Sequence, residues 1–547
     1  MNRRLLPLAL AALAACGRGA PADLVVFGRT WTGDPANPSA QAVAVRGDTI
    51  AAVGDSATIA ALVGPQTTVL ATPGLVTPGF TDGHVHFLPG GFQLASIDLR
   101  DATTKAEFIR RIAAYAAERK PGEWIVGGDW DHEQWPGTPL PERSWIDSVT
   151  RDNPVWLSRL DGHMALANSK ALAAAGITRA TPDIPGGEIV RGAGGEPTGI
   201  LKDAAQAPVD AARPAPTPEQ ADAALQRAFS FAASKGVTGV VSVSVPWEEV
   251  AAWRRAHAAG TQLVRGALFP PLEQWRRVAD TLRTYGPGDA RLRVAGVKGY
   301  VDGSLGSTTA LFVEPYLDAP GKAGLFVTHP DSLRRWVGAA DSAGLQVTVH
   351  AIGERANRFI LDVYDSVAKA HGAKDRRFRV EHAQHLLGPD IARFAAQGVI
   401  PSMQPSHVTD DGAWAHKRIR PAQLERTYAF RALLDAEAPL VFGSDWTVAP
   451  LDPLLGISAA VTRRTRDGKH PDGWVPSQKV TVAEALRAYT AANAYGVFAE
   501  RERGVLKPGM QADLVLLDRD ILRIPPTEIA QAGVLATVMG GKVTYRR

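Results

Sequence analysis

Cysteine is nearly absent from this chain: among 547 residues there is one, Cys16, beside 13 histidines. A disulfide within the chain is therefore excluded, and so are a thiol nucleophile and thiolate metal ligands in the part of the chain that follows residue 16. Metal chemistry in that part must use histidine, carboxylates or a modified lysine.

Charge of one sign is also scarce, since the formal net charge is only +4. No run of five or six like charges and no basic stripe with interleaved aromatics occurs, which argues against a nucleic-acid partner. The hydrophobic content of 45% and charged content of 21% are ordinary for a folded protein rather than a disordered one. The length suggests one large domain with extra elements, or two domains.

The first residues carry an apolar run, "LLPLALAALAA", after Arg3 and Arg4. This run is too short to span a membrane as a stable helix, but it suits a secretory signal. It ends in "LAAC", Leu13 to Cys16, which resembles a bacterial lipoprotein signal whose cysteine is lipidated. We therefore predict that residues 1–16 are a signal and that the protein is exported, as a periplasmic or cell-envelope lipoprotein anchored through Cys16. An ordinary cleavable signal is the alternative.

Both ends of the remaining chain are rich in predicted strands. "DLVVFGRTWTG" and "AVAVRGDTIAAVG" near the start, and "QADLVLLDRD" and "VLATVMGGKVTYRR" near the end, combine alternating apolar residues with Gly and Asp turns. We expect residues 23–78 and 500–547 to form one composite β-sandwich domain.

Between these ends, short apolar runs alternate with segments of helical period, as in repeated βα units. Eight strand ends are predicted, at "TPGFTDGHVH", "GVTGVVSVSV", "QLVRGALF", "RVAGVKGYVDG", "LQVTVHA", "RFRVEHA", "GVIPSMQ" and "PLVFGSD". Eight such units make an α/β fold of the (β/α)8, TIM-type barrel over residues 79–499. Residues 88–215 do not fit the repeat, and we interpret them as an insertion after the first barrel strand that overhangs the active face.

Two histidines, one residue apart, mark the first of these strands in "TDGHVHF". Side chains alternate along a strand, so His84 and His86 point the same way and can hold one metal ion. A solvent-facing pair is the alternative. Against it, Lys298, His350, His382 and Asp445 fall on or at the ends of four other predicted strands. All six residues would then meet at the barrel mouth.

These motifs resemble the metal-dependent amidohydrolase superfamily, in the branch that includes N-substituted formamide deformylase. The similar segments occur in the family's order and cover nearly the whole chain after the signal; they are "PGFTDGHVH", "VKGYVDGSLGSTTA", "VTVHAIGERAN", "RVEHAQ", "FGSDW" and "GVLKPGMQADLVLLD".

The resemblance implies a site for two divalent metal ions. His84, His86 and Asp445 would hold one ion, His350 and His382 the other, and a carboxylated Lys298 would bridge them. A lysine desolvated enough to be neutral can react with carbon dioxide to give an anionic carbamate. The alternative is that Lys298 is an ordinary buried lysine and that the site holds a single metal ion. Zinc suits these ligands best, with manganese, iron and cobalt as other occupants.

The same resemblance implies hydrolysis by a metal-bridged hydroxide, with Asp445 as general base and then general acid. His163, in "LDGHMALANS", is the candidate second catalytic group, as a donor to the substrate carbonyl. A structural histidine between loop and barrel is the alternative reading of His163.

Further residues are predicted to contact the substrate. His407 follows the seventh strand, Asp302 follows Lys298 together with Ser304, and Trp130, Trp135 and Trp446 would form an apolar wall. Packing of loops on the barrel, or turn capping for Asp302 and Ser304, explains the same residues.

The leading functional hypothesis is an enzyme that cleaves a non-peptide, N-acyl or N-formyl amide C–N bond of a small molecule. Cleavage of an ester, lactone, carbamate or cyclic amide in the same site is the alternative. A non-catalytic ligand-binding lipoprotein is a third hypothesis, disfavoured because no predicted metal ligand is missing. No membrane contact beyond the N-terminal lipid anchor is expected, and a homodimer is suggested by the resemblance.

Overall fold

The computed structural model describes residues 20–547, so the predicted signal and Cys16 lie outside the described residues, and export and lipidation stay predictions. The strands are β1 (Leu24–Trp31), β2 (Ser39–Arg46), β3 (Thr49–Gly54), β4 (Thr68–Pro78), β5 (Phe80–Val85), β6 (Ile97–Asp98), β7 (Ile125–Trp130), β8 (Val155–Arg159), β9 (Met164–Ala167), β10 (Gly187–Arg191), β11 (Pro197–Asp203), β12 (Val237–Val243), β13 (Arg265–Phe269), β14 (Leu292–Val294), β15 (Gly296–Tyr300), β16 (Gln346–Ala351), β17 (Arg379–His382), β18 (Ile400–Met403), β19 (Val441–Phe442), β20 (Leu514–Leu517), β21 (Val534–Met539) and β22 (Lys542–Arg546).

The α-helices pack around these strands. They are α1 (Ser56–Ala60), α2 (Phe87–Gln93), α3 (Lys105–Ala117), α4 (Arg143–Ile146), α5 (Ser169–Ala174), α6 (Ala207–Ala212), α7 (Pro218–Ser234), α8 (Trp247–Ala258), α9 (Trp275–Tyr285), α10 (Pro330–Ser342), α11 (Glu354–His371), α12 (Gly388–Gln397), α13 (His407–Asp411), α14 (Pro421–Leu424), α15 (Phe430–Asp435), α16 (Pro453–Thr462), α17 (Val482–Ala488) and α18 (Ala491–Gly496). Within residues 20–547, no helix combines the length and the apolar character needed to cross a membrane.

Strands from both ends of the chain form one seven-stranded sheet, in the order β22-β21-β20-β4-β1-β2-β3. The two chain ends thus form one composite unit, as one continuous hydrogen-bonded sheet rather than the two sheets of the predicted β-sandwich. The reason is β4, which pairs with β1 from Thr68 to Val76 and with β20 from Val76 to Pro78, so that one ladder runs through both halves. Residues of the two halves, such as Val43 and Leu514, still share one hydrophobic cluster.

Parallel strands are present at each of the eight places predicted for the barrel, and they number nine because the fourth place, "RVAGVKGYVDG", holds two short strands, β14 and β15. They form a four-stranded sheet, β14-β13-β12-β5, and a five-stranded sheet, β15-β16-β17-β18-β19. Isolated parallel bridges, Val85 with Trp446 and Pro271 with Lys298, connect the edges of the two sheets. The α/β fold is thus confirmed, while its hydrogen-bonded ladder is interrupted at these two edges.

A third unit lies between the first and second of these parallel strands. Its six strands form a sheet of their own in the order β10-β11-β9-β8-β7-β6, over residues 97–203. Trp130, Trp135 and Phe108 belong to a separate hydrophobic cluster in this unit. We call residues 97–203 the inserted sheet.

Candidate metal centre and pocket

The ends of β5 and β19 bring together three predicted ligands. Both His84 Nε2 and His86 Nε2 lie 3.3 Å from the same oxygen, Asp445 Oδ1. His84 is buried, whereas the side chain of His86, at the start of α2, is 27% exposed. The prediction that these two histidines face one point is therefore met by the geometry.

Asp445 has a backbone that few residues adopt. Its φ is +59°, in the left-handed region that non-glycine residues rarely occupy, and its N–H donates to the His84 carbonyl at 2.7 Å. Burial favours the neutral acid, but the positive charge of His84 and the close contacts with His84 and His86 outweigh it and hold the pKa of Asp445 well below its ordinary value. The carboxylate is therefore ionised and aimed at the histidines.

The orientation of His84 is fixed by a buried chain of polar groups. Its Nδ1 donates to Glu381 Oε2 at 2.6 Å, and Glu381 Oε1 accepts from Arg379 Nε at 2.9 Å. Burial opposes ionisation of Glu381, yet the charges of Arg379 and His84 keep its pKa well below the ordinary range. With Nδ1 engaged in this way, Nε2 of His84 is left for a metal ion.

His382 and His350 are held in a similar manner. His382 Nδ1 donates to Gln404 Oε1 at 2.8 Å, and His350 Nε2 donates to the Gly303 carbonyl at 3.0 Å. The centroids of the two rings are 4.5 Å apart, and that of His382 is 4.9 Å from that of His84. Each ring keeps one nitrogen that these hydrogen bonds do not use, and burial lowers the pKa of both, which favours the neutral, ligating form.

These donors fit a divalent metal ion. His84 Nε2 and Asp445 Oδ1 are buried without a hydrogen-bond partner, which is costly unless something else satisfies them. Two sets of side chains place one donor atom each within 4.8 Å of one another: His84, His86 and Asp445, and His382, His407 and Asp445. His407, predicted as a substrate contact, thus lies in the second set, where its Nε2 is 3.9 Å from Asp445 Oδ2.

Lys298 lies between these groups on β15 and is 1% exposed. Its Nζ is 4.8 Å from the centroid of the Tyr300 ring. Burial lowers the pKa of Lys298 to about 8, although the negative charges of Glu381 and Asp445 oppose the shift. A neutral fraction of the amine is therefore available near neutral pH.

The inserted sheet supplies the opposite wall of a pocket with about 530 Å³ of empty volume. His163 lines it, and His163 Nδ1 donates to Asp203 Oδ1 at 2.6 Å. The ring centroid of His163 is 5.0 Å from that of His350. Asp203 itself adopts a φ of +46° at the end of β11, where its N–H donates to the His163 carbonyl. The two residues therefore position each other over the centre.

Several predicted substrate contacts lie elsewhere. Trp130 is fully buried in the inserted sheet, where its Nε1 donates to the Leu157 carbonyl at 2.8 Å and its ring packs near Trp135. Trp446 is 2% exposed and packs against Phe87 and Phe231. The predicted tryptophan wall is therefore wrong, because these large rings fill hydrophobic cores, and the tryptophan that lines the pocket is Trp414.

Asp302 also contacts backbone groups of the protein rather than the pocket. Its carboxylate accepts from the backbone N–H groups of Leu311, Ile352 and Gly353 at 2.7, 3.0 and 2.8 Å, and it is not among the lining residues. Ser304 does line the pocket, and its hydroxyl donates to Asp161 of the inserted sheet.

Sequence reasoning missed the residues that hold the ligands. Glu381 directly precedes His382 in "RVEHAQ", and Gln404 lies three residues before His407 in "MQPSH", so both stood inside recognised motifs without being given a role. Asp203 lies 40 residues from His163 and carries no local signal.

Comparison with known proteins agrees with this site. The Amidohydrolase family matches residues 68–545. The chain belongs to this family. Its relatives include Protein LONG AFTER FAR-RED 3 of Arabidopsis thaliana, 40% identical over 96% of this chain and 92% of that protein. N-substituted formamide deformylase of Arthrobacter pascens is 28% identical over 96% of this chain and 98% of its own length.

A solved structure extends the amidohydrolase comparison to the fold. A metal-dependent hydrolase from Pyrococcus horikoshii OT3 superposes with a TM-score of 0.74 and 27% identity, covering 92% of this chain and 99% of that one. The protein is therefore a metal-dependent hydrolase with a TIM-type amidohydrolase fold, and its His and Asp side chains provide groups for a divalent metal. The hypothesis of a non-catalytic ligand-binding protein is set aside.

Proposed function

We propose that this amidohydrolase cleaves a non-peptide amide C–N bond, of an N-acyl or N-formyl compound, in a small molecule. The observation that carries the proposal is the meeting of His84, His86 and His382 around Asp445. His382 and Asp445 line the pocket, and His84 Nε2 and Asp445 Oδ1 are buried without hydrogen-bond partners. The name of the formamide deformylase relative supports the choice of bond. We also propose that the protein is exported as a lipoprotein anchored through Cys16, and that two copies form a homodimer.

The proposed cofactor is a pair of divalent ions, with zinc as the first choice. His84, His86 and Asp445 would hold one ion, and His350 and His382 the other. Lys298 would join them as a carbamate, which the burial of its amine supports because the neutral form is the one that reacts with carbon dioxide. Bound metal ions of this kind lower the pKa of water toward ~7 and polarise a carbonyl oxygen.

The chain's own residues would supply the proton transfers and the orientation of the substrate. The ionised Asp445 carboxylate, at the pocket base, can accept a proton from the attacking water and return it to the leaving nitrogen. His163, held by Asp203 on the opposite wall, would contact the carbonyl oxygen. His407, whose buried Nε2 has no hydrogen-bond partner, is the second polar group available to the substrate.

Hydrolysis assays on metal-replete protein test the proposal directly. We expect turnover of N-formyl, N-acyl or aryl amides, and a loss of at least about 10²-fold in kcat for Asp445→Asn, because the amide nitrogen leaves only when it is protonated. The metal content of the variant, measured by mass spectrometry, separates loss of the acid–base group from loss of a ligand.

Esters and lactones in the same panel distinguish the alternative. Ester or lactone turnover without amide turnover would overturn the assignment of the C–N bond while leaving the metal-dependent hydrolase intact. Unchanged amide hydrolysis by Asp445→Asn would overturn the role given to this residue.

A further inference from the structure

The wall of the pocket away from the metal centre is dominated by carboxylates. Asp131 and Asp161 of the inserted sheet and Asp410 and Asp411 of α13 all line it. Within residues 20–547, Arg159 is the only arginine or lysine that does so. The net charge of this wall therefore depends on which groups the Arg159 guanidinium contacts.

Arg159 forms ion pairs with two carboxylates of the protein itself. It is 2% exposed, with Nη2 at 2.9 Å from Asp131 Oδ1 and Nη1 at 2.7 Å from Asp161 Oδ2. A buried guanidinium with two carboxylate partners has no charge left to offer a ligand. A carboxylate on the substrate would find no free cation on this wall.

Asp410 and Asp411 continue this wall on α13, and burial raises the pKa of both carboxyls, that of Asp411 to about 7, so the wall is most negative above neutral pH. Asp411 accepts from Tyr428 Oη at 2.6 Å and from Gln384 Nε2 at 2.8 Å, which are neutral donors. Asp410 has Arg466 Nη2 at 2.6 Å, but the Arg466 side chain is 45% exposed and well solvated. Neither aspartate has a buried counter-ion of its own.

Besides the acidic wall, a buried polar atom without a protein partner marks this pocket as a binding site. Asp445, whose side chain is 7% exposed, lines the same cavity, and its Oδ1 has no hydrogen-bond partner. The acidic wall and the metal centre thus face one common space, so a substrate that fills the pocket while it reacts at the centre lies beside Asp410 and Asp411.

We infer that the pocket selects amides whose amine portion is neutral or positively charged and rejects those that carry a carboxylate there, such as N-acyl amino acids. The inference rests on the proposed function for the bond cleaved, and it adds the charge of the substrate. Like charges in a pocket of low dielectric repel strongly, whereas a cation is attracted.

Three formanilides of matched shape test the inference: the unsubstituted compound, the 4-aminomethyl compound and the 4-carboxymethyl compound. We expect kcat/KM for the cationic compound to equal or exceed that for the neutral one, and the anionic compound to fall at least about tenfold below it. Calorimetric binding of the corresponding product anilines, 4-(aminomethyl)aniline and 4-(carboxymethyl)aniline, is measured in parallel and should show the same order.

The two readouts keep the proposals separate. No turnover of any formanilide would count against the amide assignment, while the binding order of the anilines would still test charge selection. Equal or tighter binding of the carboxymethyl aniline would overturn the charge inference even if formanilide is hydrolysed.

A matched pair of variants locates the effect. Asp410→Asn removes one lining charge and should reduce the preference for the cationic over the anionic compound several-fold. Asp467→Asn makes the same change at a residue that does not line the pocket, and should leave the preference unaltered. An equal change in both variants would mean that the preference comes from the overall charge of the protein.

Discussion

Single hydrogen bonds to the outer nitrogens of the histidines decide which nitrogen each ring presents to a metal ion. Gln404 does this for His382 through an uncharged contact of 2.8 Å, so it can be tested without leaving a buried charge. We expect Gln404→Leu to fold and to lose about 10–100-fold in zinc affinity, because the His382 ring is no longer oriented. Competition with a chelator measures the affinity, and Gln397→Leu on α12 is the control. Zinc affinity equal to that of the parent protein would show that His382 does not need this bond.

At this scale the meeting of the candidate metal ligands could be predicted, whereas the residues that orient them could not. His84, His350, His382 and Asp445 could be selected because each lies near the end of a strand, or just beyond it, within a recognisable motif. Asp203 is not, because its contact with His163 depends on the pairing of β9 and β11, which brings distant residues together.

Glu249 joins three elements through one oxygen. On α8, its Oε1 accepts from Ser242 Oγ of β12 at 3.0 Å, from Trp253 Nε1 at 3.3 Å and from the Leu88 N–H of α2 at 3.4 Å. Burial raises the pKa of Glu249 to about 7, so the folded state prefers the neutral acid. Its stabilising effect is full below the ordinary value of 4.5 and is lost as pH rises through 7.

The parent protein should therefore lose stability between pH 5 and pH 9 as Glu249 ionises, and the full shift in pKa corresponds to about 3 kcal/mol. We expect Glu249→Gln to remove this part of the loss, because glutamine does not ionise. Thermal unfolding midpoints at the two pH values measure this difference, and the exposed neighbour supplies the control as Glu248→Gln. A variant that loses as much stability as the parent between these pH values would refute a neutral Glu249.

Strand positions in the barrel could be predicted because buried parallel strands leave continuous apolar runs in the sequence. The pairing within the terminal sheet could not, because alternation of apolar residues indicates a strand but not its neighbour. The position of Trp130 could not be predicted either, since a tryptophan in a loop-rich segment suits a pocket wall and a hydrophobic core alike.

The terminal sheet and the parallel strands are joined by a buried ion pair. On β13, Arg265 contacts Asp513 through two bonds, Nε to Oδ2 at 2.7 Å and Nη2 to Oδ1 at 2.9 Å, and both side chains are 4% exposed. Asp513→Ala would leave this guanidinium unpaired, and we expect the free energy of unfolding to fall by about 3–5 kcal/mol. Urea denaturation measures the loss. The double variant Arg265→Met, Asp513→Leu should lose less than the single one, and an equal loss would mean that packing rather than charge joins the two units.

The pocket draws on two separate stretches of the chain. Parallel strands furnish the groups for the metal ion, whereas residues 97–203 furnish Asp131, Arg159, Asp161 and His163 of the facing wall. Mutation of the facing wall can therefore change which substrates the enzyme binds without changing the residues that would hold the metal ions. A library restricted to the inserted sheet, with His163 and Asp203 kept, should yield variants with altered substrate preference and unchanged metal ligands, which is a route by which one ancestral hydrolase gives rise to many.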